Sequence, residues 1–298
     1  MVTGKVMVAL KSPVKANHLA VKFVGKEKTK IENTVHYTDA DGNAQSRTDV
    51  FTEKKEFFKQ EFVLQQFAGG IIAPGQYVLP FQYQLPVDLP GVYYDAWKEA
   101  DGDKIKGAIM YTVKCCLDVK GSDLEDKEFL VINSAFTKLP KAISLSKDKK
   151  FLFGGSGKLT MTAALAKDVF LPGETVFIQL VVNNESKKEV RKFKVKLMRT
   201  VRIQAKSRVK VAVRELQRKE FPGIAPKSKG EQMLSLALHA QTSPSTKGKL
   251  VSCEFHLDIE ADVPMAGDLE LHPQISVALL PMAGAPLYNP FAAYVGFK

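Results

Sequence analysis

Apolar and polar residues alternate with a period of two along most of this chain, and helical periodicity is scarce. The alternation predicts strands at Val6–Leu10, His18–Val24, Lys54–Gln66, Gln76–Tyr83, Ile105–Val119, Lys158–Ala166, Thr175–Val182, Lys192–Met198, Val201–Arg214, Gln232–Ala240, Lys249–Ile259 and Ile275–Leu280. Turn residues separate them, as in Asp41-Gly42-Asn43, Ala73-Pro74-Gly75, Asp101-Gly102 and Leu171-Pro172-Gly173. Many short strands with turns between them indicate sandwiches rather than βαβ units. Eleven or twelve strands exceed one small sandwich, so the expectation is an all-β chain of two tandem immunoglobulin-like β-sandwich domains. Residues 138–150 are polar, basic and contain Pro140, and a Phe153-Gly154-Gly155-Ser156-Gly157 break follows. The expected domains are therefore 1–140 and 151–298, with 141–150 as linker.

Composition narrows the class. The 298 residues are 45% hydrophobic and 25% charged, as in ordinary globular chains, which excludes disorder as the main state. Three Cys exclude a disulfide scaffold and suit a reduced, cytosolic compartment. Charge-free stretches such as residues 62–87 and 271–297 are broken by Pro and Gly, so neither reads as a membrane-spanning helix. Net charge is +11, but residues 187–229 hold sixteen Lys/Arg against three Glu. That segment alone carries +13 and the remainder −2, so it is expected to dominate the long-range field.

Residues 157–200, GKLTMTAALAKDVFLPGETVFIQLVVNNESKKEVRKFKVKLMRT, read as strand, Pro-Gly-Glu turn, strand, Asn-Asn-x-Ser-Lys-Lys turn and strand. This order resembles the opening of the C-terminal domain of arrestins. Residues 74–94, PGQYVLPFQYQLPVDLPGVYY, are similar to the N-terminal segment of α-arrestins, the arrestin-domain-containing proteins, in which a Pro-Gly turn leads to a Pro-Phe strand and a Leu-Pro pair. The resemblance runs from about Gly4 to Leu280. It implies an arrestin-like fold, and a cytoplasmic adaptor at the plasma membrane or endosomes that links membrane cargo or receptor tails to endocytic, trafficking or ubiquitin-ligase machinery. It also implies one strand before Gly4 that is missing here. A retromer-type coat subunit shares the bilobal shape and is the alternative. The second alternative is a basic β-sandwich protein that binds nucleic acid.

Catalytic signals are weak. No His-x-x-x-His, Cys-x-x-Cys or Gly-x-Ser-x-Gly occurs, and Gly154-Gly155-Ser156-Gly157-Lys158 fails the phosphate-loop spacing. A non-enzyme without metal or cofactor is expected, and His256 and Asp258 read as a surface pair on one strand face. The basic segment is more informative. Between 201 and 214 the odd positions are mostly apolar and the even ones include Arg202, Lys206, Arg208, Lys210 and Arg214; Lys192, Lys194 and Lys196 repeat the device. On strands this would bury Val and Ile and display a ladder of cations for anionic phospholipid or a phosphorylated tail. No aromatic interleaves residues 201–219, so nucleic acid is not expected as a partner. Near the C-terminus, Asn289-Pro290-Phe291 matches the tripeptide that EH-domain proteins bind.

Overall fold

A computed structural model describes residues 1–133, 139–151 and 157–279. The first lobe contains β1 (Val2–Leu10), β2 (Val14–Thr38), β3 (Ala44–Gln66), β4 (Ile71–Ile72), β5 (Gly75–Tyr83), β6 (Tyr93–Lys98), β7 (Lys104–Val119) and β8 (Leu124–Leu130). The second contains β9 (Ile143–Phe151), β10 (Gly157–Leu165), β11 (Val169–Phe170), β12 (Thr175–Asn184), β13 (Val190–Ala205), β14 (Arg208–Ile224), β15 (Ser228–Ala237), β16 (Thr246–Lys247), β17 (Val251–Asp262), β18 (Leu269–Leu271) and β19 (Gln274–Val277). The chain is an all-β pair of tandem sandwiches, as its alternation predicts, but with more and longer strands.

In the first lobe a two-stranded sheet, β1-β5, faces a six-stranded sheet of order β3-β2-β7-β6, with β4 on β2 and β8 on β7. Leu19, Val21, Phe23 and Leu117 point inward from the larger sheet, and Val6, Leu79 and Phe81 pack against them. Phe23 stacks on Tyr83 with ring centroids 5.0 Å apart and meets Phe81 edge-on at 6.0 Å. The second lobe packs a four-stranded sheet, β15-β12-β10-β9, on a seven-stranded one built around β19-β17-β13-β14. Met161, Ile178, Leu180, Val195, Leu197, Leu257 and Ile259 fill its interior. Burying such side chains stabilises by roughly 1.5–3 kcal/mol each relative to exposure.

Two expectations need correction. The segment 141–150 is not a linker: residues 143–151 form β9, an edge strand paired with β10 from Gly157↔Phe151 to Leu165↔Ile143. Residues 201–214 are not one strand, because a hairpin turn at Lys206-Ser207 separates β13 from β14. Lys206 adopts φ of 54°, the left-handed conformation that such turns require.

The lobes share a core. Ile31, Val92, Tyr93, Ile105 and Ile109 of the first lobe belong to the same buried cluster as Val201, Ile203, Val251 and Phe255 of the second. Gly107 on β7 makes this approach possible, since a methyl group there would lie 2.6 Å from Ile203 Cδ1. One end of the inner face of the β3-β2-β7-β6 sheet therefore covers the first lobe's own core, and the other end covers the second lobe.

Candidate functional site: a lysine face and a polar seam

The two-residue turn decides where the expected cations go. Ala205 pairs with Arg208 and Ile203 with Lys210, so odd residues face inward on β13 but even residues face inward on the first half of β14, up to a register shift at Leu216. The expected alternation is therefore reversed on β14. Val209, Val211 and Val213 are exposed, at 44%, 50% and 56%, while Lys210 and Arg214 turn toward the first lobe. Lys210 Nζ lies 2.6 Å from Glu99 and 2.7 Å from Asp103, and these carboxylates raise its pKa. Arg208 stacks 5.1 Å from the Phe51 ring, and Arg214 5.6 Å from Trp97. The Lys206 backbone N–H donates to Glu53, and Arg202 donates to Gln204 Oε1 at 2.8 Å.

Three expected cations of β13 are paired with carboxylates. Lys192 pairs with Glu220 at 2.7 Å. Lys194 and Lys196 both grip Glu260, the latter at 2.6 Å. Burial opposes charge on Glu260, yet hydrogen bonds from the two lysines hold its pKa down to about 2. The expected ladder from Lys192 to Arg214 does not run along one solvated face: Lys206 and Arg208 are exposed, whereas Lys192, Lys194, Lys196 and Lys210 are paired with carboxylates. Asn289, Pro290 and Phe291 lie outside the described residues.

The β14 cations instead belong to a seam between the lobes. Arg199, an inward residue of β13, reaches Asp95 at 3.1 Å with both side chains largely buried. Thr29 Oγ1 donates to the Gln204 carbonyl at 2.7 Å. Glu27 is fully buried and accepts backbone N–H groups of Lys249, Leu250 and Val251, each at 3.1 Å. Burying a carboxylate is costly unless it is hydrogen-bonded in this way.

A basic surface built from half-buried and exposed lysines lies elsewhere, on the outer face of the β3-β2-β7-β8 sheet. Val21, Phe23 and Ile31 of β2 point inward, so Lys22, Lys26, Lys28 and Lys30 point outward. The register sets Lys54 beside Lys28, Lys114 beside Lys22 and Lys127 beside Lys114. Lys22, Lys26, Lys28, Lys114 and Lys127 surround a shallow cleft floored by Val24, Met110 and Thr112. Lys22 pairs with Glu61 at 3.5 Å and Lys114 with Glu125. Partial burial, and then the charges of Lys28, Lys54 and Lys127, lower the Lys26 pKa, against which Glu56 compensates only in part. Its neighbours therefore leave excess positive charge on this face, which an anion would relieve.

Sequence reasoning missed this face because four strands from different parts of the chain assemble it. The signal was present on β2, where Lys22, Lys26, Lys28 and Lys30 share one parity. Net charge counted along the chain hid it, because Glu27, a seam residue pointing the other way, cancels one lysine in that count.

Comparison with known proteins places both lobes. The arrestin (or S-antigen) N-terminal domain matches residues 1–136, and the arrestin (or S-antigen) C-terminal domain matches 155–281. Arrestin domain-containing protein A of Dictyostelium discoideum is 29% identical over 276 residues, 91% of this chain and 47% of that protein. Protein B of the same organism is 36% identical over 86 residues, 29% of this chain and 14% of its own length. Protein C is 21% identical over 220 residues, 70% of this chain and 32% of its own. The chain thus spans less than half the length of these relatives.

Proposed function

Because the chain belongs to the arrestin family, we propose that it is a non-catalytic adaptor that joins membrane cargo or receptor tails to endocytic, trafficking or ubiquitination machinery. The observation that carries this reading is the match of both arrestin domains, in order, across most of the chain. The lysine face supports a peripheral position on an anionic membrane. Lysine is a compact point charge without the fork that reads single phosphates, so a broad lysine face suits a diffuse negative surface. Each near-surface cation contributes about 1 kcal/mol. Lys26, Lys28, Lys54 and Lys127 together supply roughly 4 kcal/mol, equivalent to a Kd of about 1 mM. The membrane alone then holds the protein weakly, and a cargo contact at the same time makes residence stable.

The open side of the first sandwich supports that second contact. Among the described residues β1 pairs only with β5, and a groove lined by Val6, Phe81, Val113, Cys115 and Leu130 runs between β1 and β8. An extended cargo peptide adding to the β1 edge would fill it.

The test is vesicle flotation of the chain with phosphatidylserine-containing and purely zwitterionic vesicles. The expected result is salt-sensitive binding to the anionic vesicles alone, lost when Lys26, Lys28, Lys54 and Lys127 become Glu. Unchanged binding by that variant, or equal binding to neutral vesicles, would overturn the lysine-face assignment. Affinity capture from cells tests the adaptor role separately: recovery of no membrane protein or trafficking component would sink it.

A further inference from the structure

His256 and Asp258 stand two residues apart on β17, so they share its outward face. Phe255, Leu257 and Ile259 between and beside them are buried and anchor the strand. β18 pairs with β17 through Leu271↔Ile259, and β19 through His256↔Gln274. The chain between these pairings, His272-Pro273, therefore runs beside Leu257 and Asp258. The Leu257 N–H donates to the Pro273 carbonyl at 3.0 Å and fixes the turn to the strand.

This brings together three residues that no local motif joins. His256 Nε2 lies 3.2 Å from Asp258 Oδ1, and His272 Nδ1 lies 2.7 Å from the same oxygen. All three ligand atoms fall within 4.8 Å of one another. A tetrahedral zinc site with bonds of about 2.0–2.2 Å separates neighbouring ligand atoms by roughly 3.3–3.6 Å. Small side-chain adjustments convert the one arrangement into the other. The second nitrogen of His272, Nε2, lies 3.5 Å from Glu270 Oε2. A carboxylate behind the far ring nitrogen is the usual device that orients a metal-binding imidazole. Lys196, opposite Asp258 on β13, is occupied by Glu260 and does not compete for this carboxylate.

We propose that His256, Asp258 and His272 form a binding site for a divalent cation of the zinc class, with Glu270 orienting His272. Two imidazoles and one carboxylate favour zinc or cobalt over calcium or magnesium, which take oxygen ligands. The three residues are 20%, 20% and 45% exposed, so a fourth position opens to solvent. Bound metal would pin the His272-Pro273 turn to β17 and stabilise that corner of the second lobe.

The experiment uses the whole chain freed of metal by chelator. Zinc is titrated by calorimetry and cobalt by visible absorption, with thermal unfolding recorded in both states. The expected result is one equivalent bound, the absorption of tetrahedral cobalt, and a rise in Tm. His272→Ala and Asp258→Asn should abolish these effects while leaving the metal-free Tm close to wild type. Glu270→Gln should weaken binding by about ten-fold. His36→Ala, on the other lobe, should change nothing. Absence of saturable binding, calcium bound as well as zinc, or binding unaffected by His272→Ala would each overturn the proposal.

Discussion

Replacing Glu27 by Ala tests whether the seam is a structural clamp. The carboxylate receives three backbone N–H groups from residues 249–251 inside a buried interface. Hydrogen bonds to a charged acceptor contribute about 1.5–3 kcal/mol each, and removing the acceptor leaves three donors unpaired. The three share one side chain, so their losses do not add fully, and a net cost of about 4 kcal/mol is expected. With a urea m-value near 3 kcal/mol/M for a chain of this size, that lowers the midpoint by about 1.3 M. Trp97 is the only tryptophan and carries Arg214 of the other lobe over its ring, so its fluorescence reports the seam. Urea unfolding should be followed by Trp97 emission and by far-UV circular dichroism together. Wild type should show coincident transitions, whereas Glu27→Ala should lose the Trp97 signal at lower urea than its strand signal. Gly248→Ala attacks the same clamp from the other side, because its methyl would fall 1.9 Å from Glu27 Oε1. Coincident transitions in both variants, with a loss below about 1 kcal/mol, would refute the clamp.

Two further outcomes follow from the ion pairs. Lys210→Met should destabilise by about 3 kcal/mol, because it strands Asp103, which is 1% exposed, without its cation; chemical denaturation measures this, and a neutral effect would contradict the pairing. Acid should weaken the second lobe in a defined window. The Glu260 pKa is depressed in the folded state, so its stabilisation is complete above the ordinary value near 4.5 and disappears as pH falls toward about 2. That amounts to about 2–3 kcal/mol, partly offset by Asp268, whose pKa moves up. Thermal unfolding between pH 6 and 2 should show the loss in wild type and a smaller one in Glu260→Gln.

Much of the fold was legible because burial on one side of a strand writes itself as alternation. β5, β10 and β12 carry it cleanly, with apolar residues at every second position. The failures have separate causes. β9, ISLSKDKKF, pairs along one edge only and buries little, so its sequence looks like a linker. The continuation of β2 past Val24 does not show as apolar alternation, because its inward positions become Gly25, Glu27 and Thr29, the last two bonded to the second lobe. The Lys206-Ser207 turn lacks Gly, Asn or Pro, so only the polar run Lys206-Ser207-Arg208 interrupts the alternation of 201–214. Without that turn the faces of β14 were assigned backwards, and the cation ladder was placed in solvent. The lysine face and the His256–Asp258–His272 cluster needed strand order and register, which no single segment contains.

The apolar interior that runs unbroken from Ile31 to Phe255 makes the two halves hard to separate in heredity as well as in solution. A gene fragment encoding either half alone would yield a product with raw greasy surface where its sibling belongs. Duplication, fusion and shuffling are therefore expected to move the tandem as one cassette, with novelty accumulating at its ends and on its outer walls.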